Sequence, residues 1–210
     1  MSIFDKQVNR RGSGSYKWDE IREDGVIPLW VADMDFEASP AIKKALTRRV
    51  EHGVFGYTEV DEEYYNAIIS WQRRRHQWEI ERNWILYTSG VVPAVSCCIK
   101  ALTLPGDKVV VMTPVYNCFF SSIRNQGCEI AESKLIRKGD SYIIDWDDFE
   151  RQCSDERTTV FLLCNPHNPV GRVWTRDELE RMGEICQRHN VRVISDEIHC
   201  ELTMPGYSFI

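Results

Sequence analysis

The chain has 210 residues, a formal net charge of −6 at pH 7 and 28% charged residues. That length suits one domain, or one domain with part of another, and can bury a sizeable core. Net acidity with dispersed basic residues argues against nucleic acid as a partner. The run Arg73-Arg74-Arg75 falls on an expected helix and reads as a solvated face. Eight cysteines occur without a CxxC pair or metal-ligand spacing, so neither a disulfide scaffold nor a metal site is expected, and a reducing cytoplasm is. Residues 1–20 are polar and hold no apolar signal-type segment. No apolar run is long enough to span a membrane.

Residues 1–27, which include Arg10-Arg11-Gly12-Ser13-Gly14-Ser15-Tyr16, read as an arm with little regular structure. The apolar stretch 26–32 is expected to be extended, interrupted at Pro28. Ser39-Pro40 then offers an N-cap and a first-turn proline for a helix that Gly53 closes after about His52. Within it Ile42, Ala45, Leu46 and Val50 recur at helical spacing, a stripe expected to pack in a core. Tyr57 lies in the following loop, where a lone aromatic is ordinarily just packed or exposed. A second helix runs from about Asp61 to Gln77, with Tyr65, Ile68, Ile69 and Trp71 or Gln72 on its apolar side.

From Trp84 strands and helices alternate. Strands are expected at 84–88, 108–112, 129–136, 159–164 and 191–195, and helices at 91–102, 117–125, 145–152 and 175–190. Leu104-Pro105-Gly106-Asp107 reads as a turn, and Thr175-Arg176-Asp177-Glu178 as a capping box. The alternation predicts an α/β fold: a mostly parallel sheet between two helical layers, in three-layer αβα order.

Open sheets of this kind bind ligands beyond the carboxyl ends of their strands. Two loops leave such ends. One is Cys164-Asn165-Pro166-His167-Asn168-Pro169-Val170-Gly171-Arg172, the other Ser195-Asp196-Glu197-Ile198-His199. The Asn168 amide and the Asp196 carboxylate together suit a planar, polar heterocycle, although both types are also common turn residues. Gly90 opens a helix directly after an expected strand, where free amides and the helix dipole favour phosphate. By itself that feature is more often a plain strand-to-helix turn.

The two loops, taken together, resemble the pyridoxal-phosphate (PLP) core of class I/II aminotransferases of fold type I. Their spelling resembles the cystathionine β-lyase-like (MalY/PatB) branch, with His167 in place of a second asparagine and Val170 in place of threonine. Motifs at 29–36, 55–58, 88–93 and 113–116 agree in the same order. The resemblance implies PLP as cofactor. Its phosphate lies on the amides of Gly90, Val91 and Val92. Asp196 meets the ring nitrogen, Asn168 the phenolic oxygen, and Tyr116 and Ile198 the two ring faces. His199 stands where many relatives place a tyrosine at the ring oxygen. Tyr116 and Asp196 are the implied catalytic residues. Tyr57 is implied to reach the phosphate in the partner subunit of a homodimer. Ala32 and Asp33 are implied to contact substrate, unless they form only a turn held by Asp33 and Asp35.

The implied activity is C–S β-lysis of a small sulfur amino acid, giving a thiol or sulfide, pyruvate and ammonia. A PLP aminotransferase shares the first steps, and a non-catalytic remnant is a third reading. The family places its Schiff-base lysine after the aspartate motif, whereas the last lysine here is Lys138. The chain therefore reads as the amino-terminal part of a longer pattern. Residues 1–50 form an arm with part of a small domain, and 51–210 a truncated PLP-binding large domain. Apolar surface is expected to be exposed in consequence.

Overall fold

The computed structural model describes residues 3–21, 23 and 25–210. Positions 1, 2, 22 and 24 of the expected arm lie outside the described residues. The chain forms two compact units, Met1–Glu59 and Val60–Ile210.

In the first unit the arm is more ordered than its composition suggests. A helical turn, α1 (Tyr16–Asp19), is capped by Ser15, whose hydroxyl accepts from the Trp18 amide at 3.3 Å. Arg10 pairs with Asp33 at 2.6 Å and with Asp35 at 2.8 Å. The buried Lys17 reaches Asp35 and the Asp33 carbonyl, both at 2.9 Å, and the Trp18 indole donates to Asp35 at 2.7 Å. These ties join residues distant in sequence, so no local pattern announces them. Helix α2 (Pro40–His52) has the expected first-turn proline, and Gly53 closes it at φ 72° with its N–H on the Val50 carbonyl. Ser39 occupies the cap position, but its side chain makes no capping bond. The expected core stripe is not a core: Ile42, Leu46 and Val50 are 54%, 62% and 66% exposed. Nothing among the described residues buries this face, since a helical period selects a face and cannot supply its cover.

The second unit opens with α3 (Glu62–His76), where the Asp61 carboxylate accepts from the Tyr64 amide at 3.0 Å. Of its apolar side only Tyr65 is buried. The expected strand at 84–88 does not form. A 3-10 turn takes Arg82–Trp84, and Ile85 is extended at φ −96°, ψ 119°, but nothing among the described residues pairs with the segment. Leu86 and Tyr87 stay exposed. An extended backbone becomes a strand only when a neighbour takes its hydrogen bonds.

Then follow α4 (Val91–Leu102), β1 (Lys108–Thr113), α5 (Cys118–Arg124) and β2 (Glu129–Lys134). The expected strand to 136 stops at Lys134, and a separate antiparallel hairpin follows, β3 (Ile136–Lys138) and β4 (Ser141–Ile143). Its Gly139-Asp140 turn, with Gly139 at φ 61°, was a readable hairpin signal. Next come α6 (Trp146–Cys153), β5 (Thr158–Cys164), α7 (Arg176–Arg188) and β6 (Arg192–Asp196). The capping box at Thr175 and Glu178 forms as expected.

The main sheet has the order β2-β1-β5-β6, with every pairing parallel. Alternate side chains feed two cores. Val109, Val111, Val160 and Leu162 pack with Val95 and Ile99 of α4 and Phe119 and Ile123 of α5. Val110, Met112, Phe161 and Leu163 pack on the other face with Phe149 of α6, Met182 and Ile185 of α7, and Trp174. This is the three-layer α/β order, and the central strands are apolar on both faces because both are covered. Strand β6 is an edge, and its Val193 is 46% exposed.

Candidate functional site

The turn at 104–107 returns the chain from the end of α4 to the start of β1, which leaves the α4 N-terminus toward the strands' carboxyl edge. Gly90 is the N-cap and Val91 and Val92 the first helical residues. The first intrahelical bond runs from the Ala94 amide to the Gly90 carbonyl at 3.1 Å. Pro93 has no N–H, so among the described residues the amides of Gly90, Val91 and Val92 are left without a helical acceptor. A Cβ added at Gly90 would meet nothing nearer than Pro93 Cδ at 3.6 Å, an ordinary contact. The fold itself does not demand glycine here, and the absent side chain leaves these amides open.

Three loops share that edge. After β1 comes Tyr116, half-buried, with its ring edge-on to Phe119 at 6.0 Å. Its phenol titrates above the ordinary value, chiefly through a hydrogen bond with Cys118 and through burial, with the nearby Asp196 charge adding to both. After β5, Cys164 lies in register with Asp196, and the Asn165 amide donates to the Asp196 carbonyl at 3.0 Å. The Cys164 sulfur accepts from the Asn168 amide at 3.4 Å. Burial pushes that thiol up to about 11, with Asp196 contributing. The Asn168 side chain is half-buried and bonds to no acceptor or donor among the described residues.

Asp196 is buried at the end of β6. One oxygen accepts from the Ile198 amide at 3.1 Å. Among the described residues no lysine or arginine pairs with it. Ile198 itself is exposed. His199 is half-buried, and its carbonyl accepts from the Leu202 amide at 2.9 Å. Glu201 fixes this segment to α3, accepting from Trp71 at 2.6 Å, His76 at 2.7 Å and Arg75 at 3.3 Å.

Tyr116, Asn168 and Asp196 thus lie at or just after the carboxyl ends of the adjacent strands β1, β5 and β6, and Gly90, Val91 and Val92 at the start of α4. Ala32, Asp33 and Tyr57 belong to the first unit. There Ala32 and Tyr57 are exposed, the Asp33 carboxylate pairs with Arg10, and the Asp33 carbonyl accepts from Lys17. Sequence reasoning missed the bracing residues. His167 Nε2 lies 2.9 Å from the Pro114 carbonyl, and the ring is edge-on to Trp174 at 5.3 Å. Burial lowers the His167 pKa, against the opposing pull of nearby carbonyls, so the ring is neutral. Trp174 donates to the Cys164 carbonyl at 3.0 Å. Arg172 forks onto Glu178 at 3.0 and 2.8 Å and donates to the Tyr142 carbonyl at 2.8 Å. The departures at 167 and 170 from the commoner spelling were the one available signal.

The sequence model of the family described as aminotransferase class I and II matches residues 24–209. The chain belongs to this family. Cystathionine beta-lyase PatB of Bacillus subtilis (strain 168) is 44% identical over 208 residues, which cover 97% of this chain and 54% of that protein. Protein MalY of Escherichia coli (strain K12) is 36% identical over 207 residues, 96% of this chain and 53% of that one. The solved structure of cystalysin from Treponema denticola, which contains a pyridoxal 5'-phosphate cofactor, matches with a TM-score of 0.90 and 40% identity. That match covers 97% of this chain and 53% of cystalysin. The chain spans about half the length of the curated relatives it matches. Among the described residues, this aminotransferase class I and II chain presents three amides without a helical acceptor, a carboxamide without a partner, a phenol and a buried carboxylate without a lysine or arginine. Such a set complements a ligand with an anionic group at one end and a protonated ring nitrogen at the other.

Proposed function

We propose that this chain is the cofactor-binding part of a PLP-dependent C–S β-lyase acting on a small sulfur amino acid. A cystathionine-type thioether and water give a thiol, pyruvate and ammonia. The carrying observation is Asp196, a buried carboxylate that among the described residues has one main-chain donor and no lysine or arginine. Such a group is costly unless its ligand brings positive charge. Once bound, PLP supplies an electron sink for charge developing at the amino acid's α-carbon. Asp196 keeps the proton on the ring nitrogen, because a nearby anion favours the charged form. The Asn168 amide donates to the phenolic oxygen, and His199 stands by for the same oxygen. Tyr116 covers one ring face and Ile198 the other. The amides of Gly90, Val91 and Val92 hold the phosphate.

In this reading the whole protein is a homodimer. Tyr57 serves the partner subunit's phosphate, and Ala32 and Asp33 face the substrate. Residues 1–50 belong to the arm and small domain and 51–210 to the large domain. All eight cysteines are free thiols, which suits a cytoplasmic protein. A second reading has its own observation: no lysine of this sequence lies beyond Lys138. These 210 residues then bind PLP without a covalent link. An aminotransferase uses the same ring site, and release of pyruvate without an added keto acid separates it from a lyase.

The test is to titrate the purified chain with PLP and with pyridoxal, then reduce with borohydride. Saturable binding, weaker without the phosphate, supports the site. An adduct at one defined lysine defeats the non-covalent reading. No saturable binding defeats the site itself.

A further inference from the structure

We propose that His167 is a positioning residue for this site, its Nε2–H on the Pro114 carbonyl locking the Tyr116 loop against the Asn168 loop. The inference rests on the ring-site reading above and adds the device that sets its width. Strands β1 and β5 are paired neighbours, but their ladder ends at Val110 and Phe161, before either strand reaches its loop. The imidazole bridges the two loops with a contact of 2.9 Å. A carbonyl only accepts, so this nitrogen carries the proton and the tautomer is fixed. His167 is one residue from Asn168, and Pro114 is two from Tyr116. A change in the bridge therefore passes to both ligand-facing side chains through one or two peptide units.

Two features make the bridge stiff. His167 is 2% exposed, so water cannot replace a broken bond, and the freed carbonyl and N–H go unmet. The ring is also held edge-on by Trp174, whose own N–H is spent on the Cys164 carbonyl at the end of β5. The backbone on either side is pinned as well. The His167 amide donates to the Arg172 carbonyl at 2.7 Å, and the Gly171 amide donates to the His167 carbonyl at 2.8 Å. The imidazole is the link that joins the two pinned segments.

Three variants separate the hydrogen bond from the packing. His167→Phe keeps ring volume and the Trp174 contact but has no N–H. His167→Gln places an amide nitrogen as many bonds from Cα as Nε2, so it restores the donor. His167→Asn is one bond too short to reach. Each is titrated with PLP, followed by binding and by the induced circular dichroism of the bound chromophore, which reports ring orientation. Inorganic phosphate serves as a probe of the α4 amides alone. His167→Phe and His167→Asn are expected to weaken PLP binding about tenfold, the cost of roughly one buried hydrogen bond, and to diminish the induced signal. Phosphate binding stays unchanged, and His167→Gln recovers both readouts. If His167→Phe does not fold, the contrast between Gln and Asn carries the test. Equal PLP affinity in all variants, alongside weakened binding by Asp196→Asn, overturns this inference alone. Absence of PLP binding by the unaltered chain overturns the ring-site reading and this inference with it.

Discussion

A carboxyl group that a strand carries into the interior needs a partner, and among the described residues Asp196 meets one main-chain donor and no lysine or arginine. Its neighbours are arranged for a visitor. Tyr116 stands within electrostatic reach, and Asn168 keeps its carboxamide uncommitted. Cys164, between them, is a structural thiol. With a pKa of about 11 it stays protonated at neutral pH and is a poor nucleophile. Under native conditions a thiol reagent at pH 8 is expected to modify the exposed Cys97 and Cys98 first and to leave Cys164 untouched. Mass mapping of the labelled chain checks this, and early labelling of Cys164 would show its surroundings to be open. The chemistry-bearing types at this edge were legible in sequence because each sits at a strand end or a helix start. The bridge made by His167 was not, since its partner Pro114 is 53 positions away and nothing local marks the pair.

Strands β1 and β5 could be read in advance because burial on both faces leaves them continuously apolar, and the capping box at Thr175 because it acts within one turn. What failed in the reading depended on partners. The segment at 84–88 has the composition of a strand and no ladder, and the α2 stripe has helical spacing and no cover. Central burial also predicts cost. Leu162 is 1% exposed in the α4–α5 core, so Leu162→Ala is expected to lower unfolding stability by about 2–5 kcal/mol in chemical denaturation. A loss below about 1 kcal/mol would mean that the core is loosely packed. The arm provides a second case. Hydrogen bonds from Lys17, Trp18 and Arg10 hold the Asp35 carboxyl well below the usual carboxylate range. A folded value below the unfolded one stabilises the arm fully above about pH 4, and that contribution is lost as pH falls further. Acid titration of Trp18 fluorescence is expected to show the arm docked at pH 5 and released only well below pH 4. Release near pH 5 would contradict the ion pairs. Asp35→Asn removes the charge and is expected to shift release upward.

Both units expose apolar groups that ordinarily find cover. Ile42, Leu46 and Val50 line one face of α2, and Leu86, Val193, Leu202, Met204 and Tyr207 are exposed in the second unit. Exposed apolar surface promotes association. The purified chain is expected to self-associate with rising concentration in sedimentation velocity and to melt over a broad range. A monomer at all concentrations with one sharp, reversible transition would contradict that. The family assignment and the sheet order are compatible with either result, because the described strands already form two covered faces.

The central claim is that the carboxyl edge of the sheet grips a PLP ring through Asp196. Its most direct test is a calorimetric PLP titration of the unaltered chain and of Asp196→Asn, an isosteric change that keeps the acceptor for the Ile198 amide and removes the charge. The account predicts affinity at least about tenfold weaker in the variant, as for loss of one strong charge pairing, with thermal stability unchanged or slightly higher. Equal affinity in the two proteins would contradict it.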